Sequence, residues 1–181
     1  MALYTRAGDA GDTGLGDGSR ASKASARVEA YGALDEAAAT IGWARLAVAD
    51  DTLDAVLGFA QQRLFNCTSA LADPRSEGVP VTPADIAFLE AAVDLEIAGG
   101  WRGFTLASGG EAATRLDIAR TVTRRAERRI VALASQARVN ADILAFVNRL
   151  SDVLFAAAGA AATADGNTRE PWDREAEPPS L

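Results

Sequence analysis

The chain of 181 residues contains no histidine, one cysteine, one methionine and one lysine. Without histidine it lacks the commonest general base, the commonest transition-metal ligand and any Ser-His-Asp arrangement. The lone Cys67 permits no internal disulfide, and its place on an apolar helical stripe reads as a small core residue rather than a nucleophile. Proline and aromatic residues are sparse while alanine is abundant, which favours closely packed helices over sheets. No run approaches the roughly 18 consecutive apolar residues of a membrane span, and the first residues lack the basic-then-apolar order of a signal peptide. The expectation is a cytoplasmic protein with no membrane partner. The formal charge of -7 argues against a broad nucleic-acid surface.

Arginine, by contrast, is concentrated. Five of the 18 cationic residues, Arg120, Arg124, Arg125, Arg128 and Arg129, fall within ten positions. At about 100° per residue, Ile118, Ala119, Val122, Ala126, Ile130 and Leu133 gather on one side of a helix, and Arg120, Arg124 and Arg128 on the other. Guanidinium forks spaced by one turn suit phosphate or carboxylate. The bland alternative is a solvated amphipathic face. Glu127 lies three residues from Arg124, where it can pair with that arginine.

Along the chain, residues 1–24 are dense in glycine (Gly8, Gly11, Gly14, Gly16, Gly18), with Thr5 and Thr13 adding hydroxyls and Lys23 following directly. Such a segment forbids a stable helix and can turn N–H groups toward a phosphate, or it can simply be a flexible terminus. It contains no G-x-x-x-x-G-K-[ST] loop. Periodicity and caps then predict helices over about 25–49, from Asp50 or Asp51 to Pro74, from Thr82-Pro83 to Ile97, from a Ser108/Glu111 capping box through the arginine row, and from Asn140 to Gly166. Residues 101–110 read as an extended connector, in which Phe104 is either a core plug or the wall of a ligand pocket. The last helix carries a polar strip at Asn148, Asp152 and Phe155. The whole reads as one all-α domain over 1–181: a glycine-rich loop (1–24), a five-helix bundle (25–166) and an acidic tail (167–181).

The glycine/threonine loop with Lys23, the arginine row and the strip at Asn148 could converge at one end of such a bundle and enclose a triphosphate. Tyr4-Thr-Arg-Ala-Gly-Asp-Ala-Gly-Asp-Thr13, Ser22-Lys23, Arg27-Val-Glu-Ala-Tyr-Gly-Ala-Leu-Asp-Glu36, Ile41-Gly-Trp-Ala-Arg45, Arg120 through Arg128 and Asn148-Arg-Leu-Ser-Asp-Val-Leu-Phe155 occur in this order. In these stretches the chain resembles the PduO-type ATP:cob(I)alamin adenosyltransferases.

The resemblance implies a ferritin-like, up-and-down five-helix bundle forming a homotrimer, with active sites between subunits. It implies ATP with Mg²⁺, the metal's protein ligands unassigned, and a reduced cobalamin or related corrinoid as second substrate. A corrinoid reductase or an adenosylcobalamin-dependent enzyme would be a protein partner. By position, Thr5, Arg6, Gly8, Thr13, Gly14 and Lys23 would serve the triphosphate, Arg27 would be a further cofactor-binding residue, and Arg124, Arg125, Glu127, Arg128 and Asn148 would complete the nucleotide site. Lys23, Arg124 and Phe104 would act in catalysis, Phe104 as the aromatic crowding the lower face of the corrinoid. Asp35 and Arg120 would pair across the interface. The chain departs from the family pattern at Ala38, at Ala107-Ser108 and at Gly159-Ala160, on the corrinoid side and in the bundle packing. Two other readings stand beside this one: an ATP-binding regulator or corrinoid carrier with little catalysis, and a helical module whose arginine face binds nucleic acid or an acidic partner.

Overall fold

The computed structural model describes residues 4, 6–96 and 103–179. Thr5 and the expected end of the third helix at Ile97 lie outside them.

Four helices begin where the sequence supplies a cap. Ser25 Oγ accepts from the Val28 N–H at 3.4 Å at the start of α1 (Ala26–Arg45), and Asp50 accepts from the Leu53 N–H at 2.7 Å before α2 (Asp51–Ala72). Before α3 (Pro83–Glu96), the Asp85 N–H donates to Thr82 Oγ1 at 3.2 Å while the Thr82 N–H returns a bond to Asp85 Oδ2 at 2.8 Å. Asn140 accepts from the Asp142 N–H at 2.9 Å at the head of α5 (Ala141–Ala164). Each such cap contributes about 1 kcal/mol by satisfying donors that the helix itself leaves unpaired. The exception is α4 (Glu111–Ala134). It starts at Gly110 with φ 104° and no side-chain cap, because the Ser108 hydroxyl expected there instead accepts from the Glu170 N–H at 2.7 Å.

The helices form one bundle: α1 packs on α4 and α2, α5 packs on α4 and α3, and α2 reaches α5. Alanine dominates the contacts, with Ala30, Ala33, Ala37 and Ala44 buried on α1 and Ala156, Ala157, Ala158, Ala161 and Ala162 on α5. Small side chains allow close helix approach, which is the use this sequence makes of its alanine. The buried stripe of α4 runs through Leu116, Asp117, Ala119, Val122, Thr123, Ala126 and Ile130. Ile118, expected on that stripe, is 40% exposed: a residue that lies about 100° from each neighbour falls outside once Asp117 and Ala119 face inward. Of the described helices, α5 alone has the length and hydropathy to cross a membrane, and its apolar character is used within the bundle, where Phe146, Leu150 and Leu154 are fully buried.

The expectation of an all-α chain needs one correction. Residues 12–22 form a small hairpin, with β1 (Asp12–Gly14) antiparallel to β2 (Arg20–Ser22) and Thr13 opposite Ala21. Its turn is closed by Asp17, whose Oδ1 accepts from the Ser19 N–H at 2.9 Å. The Gly16 N–H docks the turn on the Ala72 carbonyl at 2.9 Å, and a Cβ at Gly16 would lie 2.7 Å from Asp73 Cβ, so this approach requires glycine. The acidic tail is likewise not a loose end: residues 169–172 return to pair with 104–106, forming a bridge between Thr105 and Pro171.

Candidate functional site

The arginines of α4 are divided by their partners. Asp117, three residues earlier on the same helix, accepts from Arg120 Nε at 3.0 Å. Arg125 is paired with Glu36 of α1, and Arg129 Nε lies 3.5 Å from Glu29 Oε2. Arg124 and Arg128, one turn apart and exposed, have no carboxylate within 4.0 Å among the described residues. Among the described residues Arg128 donates along its own helix, to the Arg124 carbonyl at 3.0 Å. Among the described residues these two adjacent permanent cations are thus free of a direct ion pair, with Asp152 the acid nearest in effect to Arg124.

Arg120 and Arg124 open on a cleft of about 440 Å³ whose far walls are Phe104, Asp152 and Phe155. Phe104 is 67% exposed, so within the chain it is not a core plug. Asp152 is exposed overall, yet the cleft walls desolvate its carboxyl enough to hold it above the usual carboxylate range, against the pull of Arg149 and Arg124. Asn148 stands beside this strip and binds α5 to α4, its Nδ2 donating to Glu127 Oε1 at 2.9 Å and its Oδ1 accepting from Arg149 Nη1 at 2.9 Å. Glu127 is therefore fixed by Asn148 of α5 and leaves Arg124 to the cleft. Arg149 is in turn held by Glu90 of α3 at 2.8 Å.

Lys23, Arg125 and Arg129 border a second cleft of about 410 Å³ with Glu29 and Glu36. Lys23 Nζ donates to the Gly8 carbonyl at 2.8 Å, and Arg20 Nη2 to the Ala7 carbonyl at 2.7 Å, so the cations after the loop pin it to the hairpin. Thr13 and Gly14 lie in β1, and Gly8 is close enough that a Cβ there would stand 3.0 Å from the Asp12 carbonyl oxygen. Arg6 adopts φ 60°, a left-handed conformation that costs a non-glycine residue on the order of 1–2 kcal/mol. Strain of this kind collects at ligand clamps. Arg27 donates to the Leu71 carbonyl at 2.7 Å at the end of α2. Asp35 is exposed on α1.

Within one chain, then, the predicted site residues do not converge. Phe104, Arg120 and Arg124 share one cleft, Lys23 and Arg125 another, with Arg128 exposed on α4. Sequence reasoning missed Asp117 and Arg169. Asp117 had a readable signal, an acid three residues before Arg120, whereas Arg169 is an unremarked arginine in a tail.

The pattern of the cobalamin adenosyltransferase family matches residues 3–161. The chain is 43% identical over 166 residues to the corrinoid adenosyltransferase PduO of Salmonella typhimurium, covering 88% of this chain and 49% of that protein. It is 41% identical over 165 residues to the corrinoid adenosyltransferase of Bacillus subtilis, covering 87% of this chain and 85% of that one. The chain spans about half the length of the PduO relatives of Salmonella and Citrobacter. Among solved structures, a phenylalanine-to-alanine variant of the PduO-type ATP:corrinoid adenosyltransferase from Lactobacillus reuteri, complexed with cobalamin and ATP, superposes with a TM-score of 0.88 at 32% identity, covering 94% of this chain and 99% of that one. With the five-helix bundle and these matches in agreement, the chain belongs to the cobalamin adenosyltransferase family.

Proposed function

We propose that this chain, acting as a single domain over residues 1–181, transfers the 5′-deoxyadenosyl group of ATP to the Co(I) centre of a reduced corrinoid. The observation that carries this reading is the pair Arg124 and Arg128, cationic, exposed and with no carboxylate within 4.0 Å among the described residues, beside an aromatic-walled cleft. The electron pair of Co(I) attacks C5′ of the ribose, the cobalt–carbon bond forms, and the C5′–O bond breaks with its electrons leaving on triphosphate. No proton is moved at the reacting carbon, so a chain without histidine suffices. What the protein must supply is orientation and cationic stabilisation of the departing triphosphate.

Lys23, Thr5, Arg6, Gly8, Thr13 and Gly14 serve the triphosphate in this reading, with Arg27 holding the start of α1 against α2. Arg124, Arg125, Arg128, Glu127 and Asn148 complete the nucleotide site, and Phe104 crowds the lower corrinoid face. The loop and Arg124 belong to different clefts of one chain, so a site that uses both is built from two copies. A homotrimer with Asp35 of one copy meeting Arg120 of the next satisfies this. Arg120 is compatible with such a partner because the nitrogen it commits to Asp117 is Nε, on one edge of its fork. Among the described residues no group of three or more His, Cys, Asp or Glu side chains is placed to hold a metal. Mg²⁺ would accompany the triphosphate and neutralise its charge, its protein ligands unassigned. The reduced corrinoid would come from a reductase, and an adenosylcobalamin-dependent enzyme would receive the product.

Anaerobic incubation with ATP and chemically reduced cobalamin tests the reading. Loss of the Co(I) spectrum with appearance of adenosylcobalamin is expected. Saturable ATP binding with no product would make the chain a regulator or corrinoid carrier.

A further inference from the structure

The tail after α5 makes contacts that the proposed reaction does not by itself require. The Leu106 N–H donates to the Glu170 carbonyl at 2.8 Å and the Trp172 N–H to the Phe104 carbonyl at 3.0 Å, so residues 170–172 form an antiparallel strap along the segment that bears Phe104. Arg169 fastens this strap from inside. Its side chain is 8% exposed and faces Asp117, itself 2% exposed. Arg169 Nη2 meets Asp117 Oδ2 and also donates to the Leu106 carbonyl at 3.2 Å, while Asp117 Oδ1 accepts from Arg120 Nε at 3.0 Å. Both guanidinium groups lie over the Phe155 ring, at 5.3 Å for Arg169 and 5.8 Å for Arg120. One buried carboxylate therefore joins the tail, the Phe104 segment and a cleft arginine.

We infer that Arg169 is a positioning residue for the corrinoid side of the site, holding Phe104 and Arg120 in place through the Leu106 carbonyl and Asp117; this rests on the functional reading above. Arg169 does not itself line the cleft. Both of its bonds leave from Nη2, which the rigid guanidinium plane over Phe155 aims at the two oxygens at once, whereas a lysine could neutralise Asp117 but sits on a flexible stem with no plane to fix its direction. Reacting groups misplaced by about 1 Å can lose on the order of 10²-fold, so loosening the Phe104 segment should weaken the corrinoid side selectively.

The experiment is equilibrium titration of wild type, Arg169→Lys and Arg169→Ala with cob(II)alamin and, separately, with ATP, alongside hydrogen exchange at the Leu106 and Trp172 amides and thermal melts. In Arg169→Lys the melting temperature should stay near wild type, exchange at the two amides should quicken by about tenfold, and the Kd for cob(II)alamin should rise by about tenfold, with ATP affinity within about twofold. Arg169→Ala should show the same selectivity with a lower melting temperature. If Arg169→Ala does not fold, the lysine variant carries the test. Unchanged cob(II)alamin affinity despite loosened amides, or equal weakening of both ligands, would overturn the inference. Neither titration requires turnover, so an inactive wild type would overturn the proposed reaction separately from the role of Arg169.

Discussion

The two clefts beside α4 use arginine in opposite ways. In the one near Lys23, Arg125 and Arg129 are matched by Glu36 and Glu29 across the α1–α4 contact, and these pairs are about half exposed. In the one near Phe104, Arg124 makes no direct ion pair among the described residues and only pulls on Asp152 across the cleft, and the acid behind the wall, Asp117, is buried between Arg120 and Arg169. Exposed pairs contribute little because water competes for both partners, whereas a buried charge deprived of its partner is costly. The difference teaches that the charge count of a helix says little until each guanidinium has been assigned a partner.

The comparison breaks most visibly at Asp117. Asp117→Ala leaves Arg169 buried without a counter-charge and should destabilise the fold by about 3–5 kcal/mol, read by chemical denaturation. Next comes Arg124→Ala. Loss of one positioned cation from a developing anion should lower turnover by on the order of 10²–10³ while the melting temperature barely changes. Removing a matched partner in the other cleft should do far less: Glu29→Ala should cost no more than about 1 kcal/mol, and a larger loss would erase the contrast between the clefts.

The smallest effect concerns pH. Burial raises the Asp152 carboxyl above its ordinary value of 3.8, so ionisation works against the folded state. Asp152→Asn should therefore raise the melting temperature slightly at neutral pH. The gain should shrink as pH falls through the raised value, where the wild-type carboxyl takes up its proton. A gain that instead grew under acid would show that Asp152 is stabilising as the anion.

Much of the bundle was legible because helix starts are local: Ser25, Asp50, Thr82 with Asp85, and Asn140 each act within three residues of where they stand. The hairpin was hidden by strands of three residues in a glycine-rich segment, too short for any alternation to register. Glu127 illustrates the limit of spacing rules, since Arg124 is near it along the helix but Asn148 of α5 reaches it across the bundle. The strap on residues 104–106 was not legible at all: its bonds are largely between backbone groups more than sixty residues apart, which leave no trace in side-chain chemistry. Spacing alone let Lys23 and Arg124 meet at one end of a single bundle, whereas the family resemblance assigned them to neighbouring subunits; within one chain they line separate clefts.

That separation makes subunit complementation the most direct measurement. Lys23→Ala and Arg124→Ala chains, each purified and inactive, are dissociated, mixed in equal amounts and reassembled, and adenosylcobalamin formation is followed anaerobically. If each site takes its loop from one copy and its arginine helix from a neighbour, about a quarter of the sites in randomly mixed trimers regain both residues, and activity returns in that proportion. Mixed assemblies that form yet remain as inactive as either parent would contradict a site shared between copies.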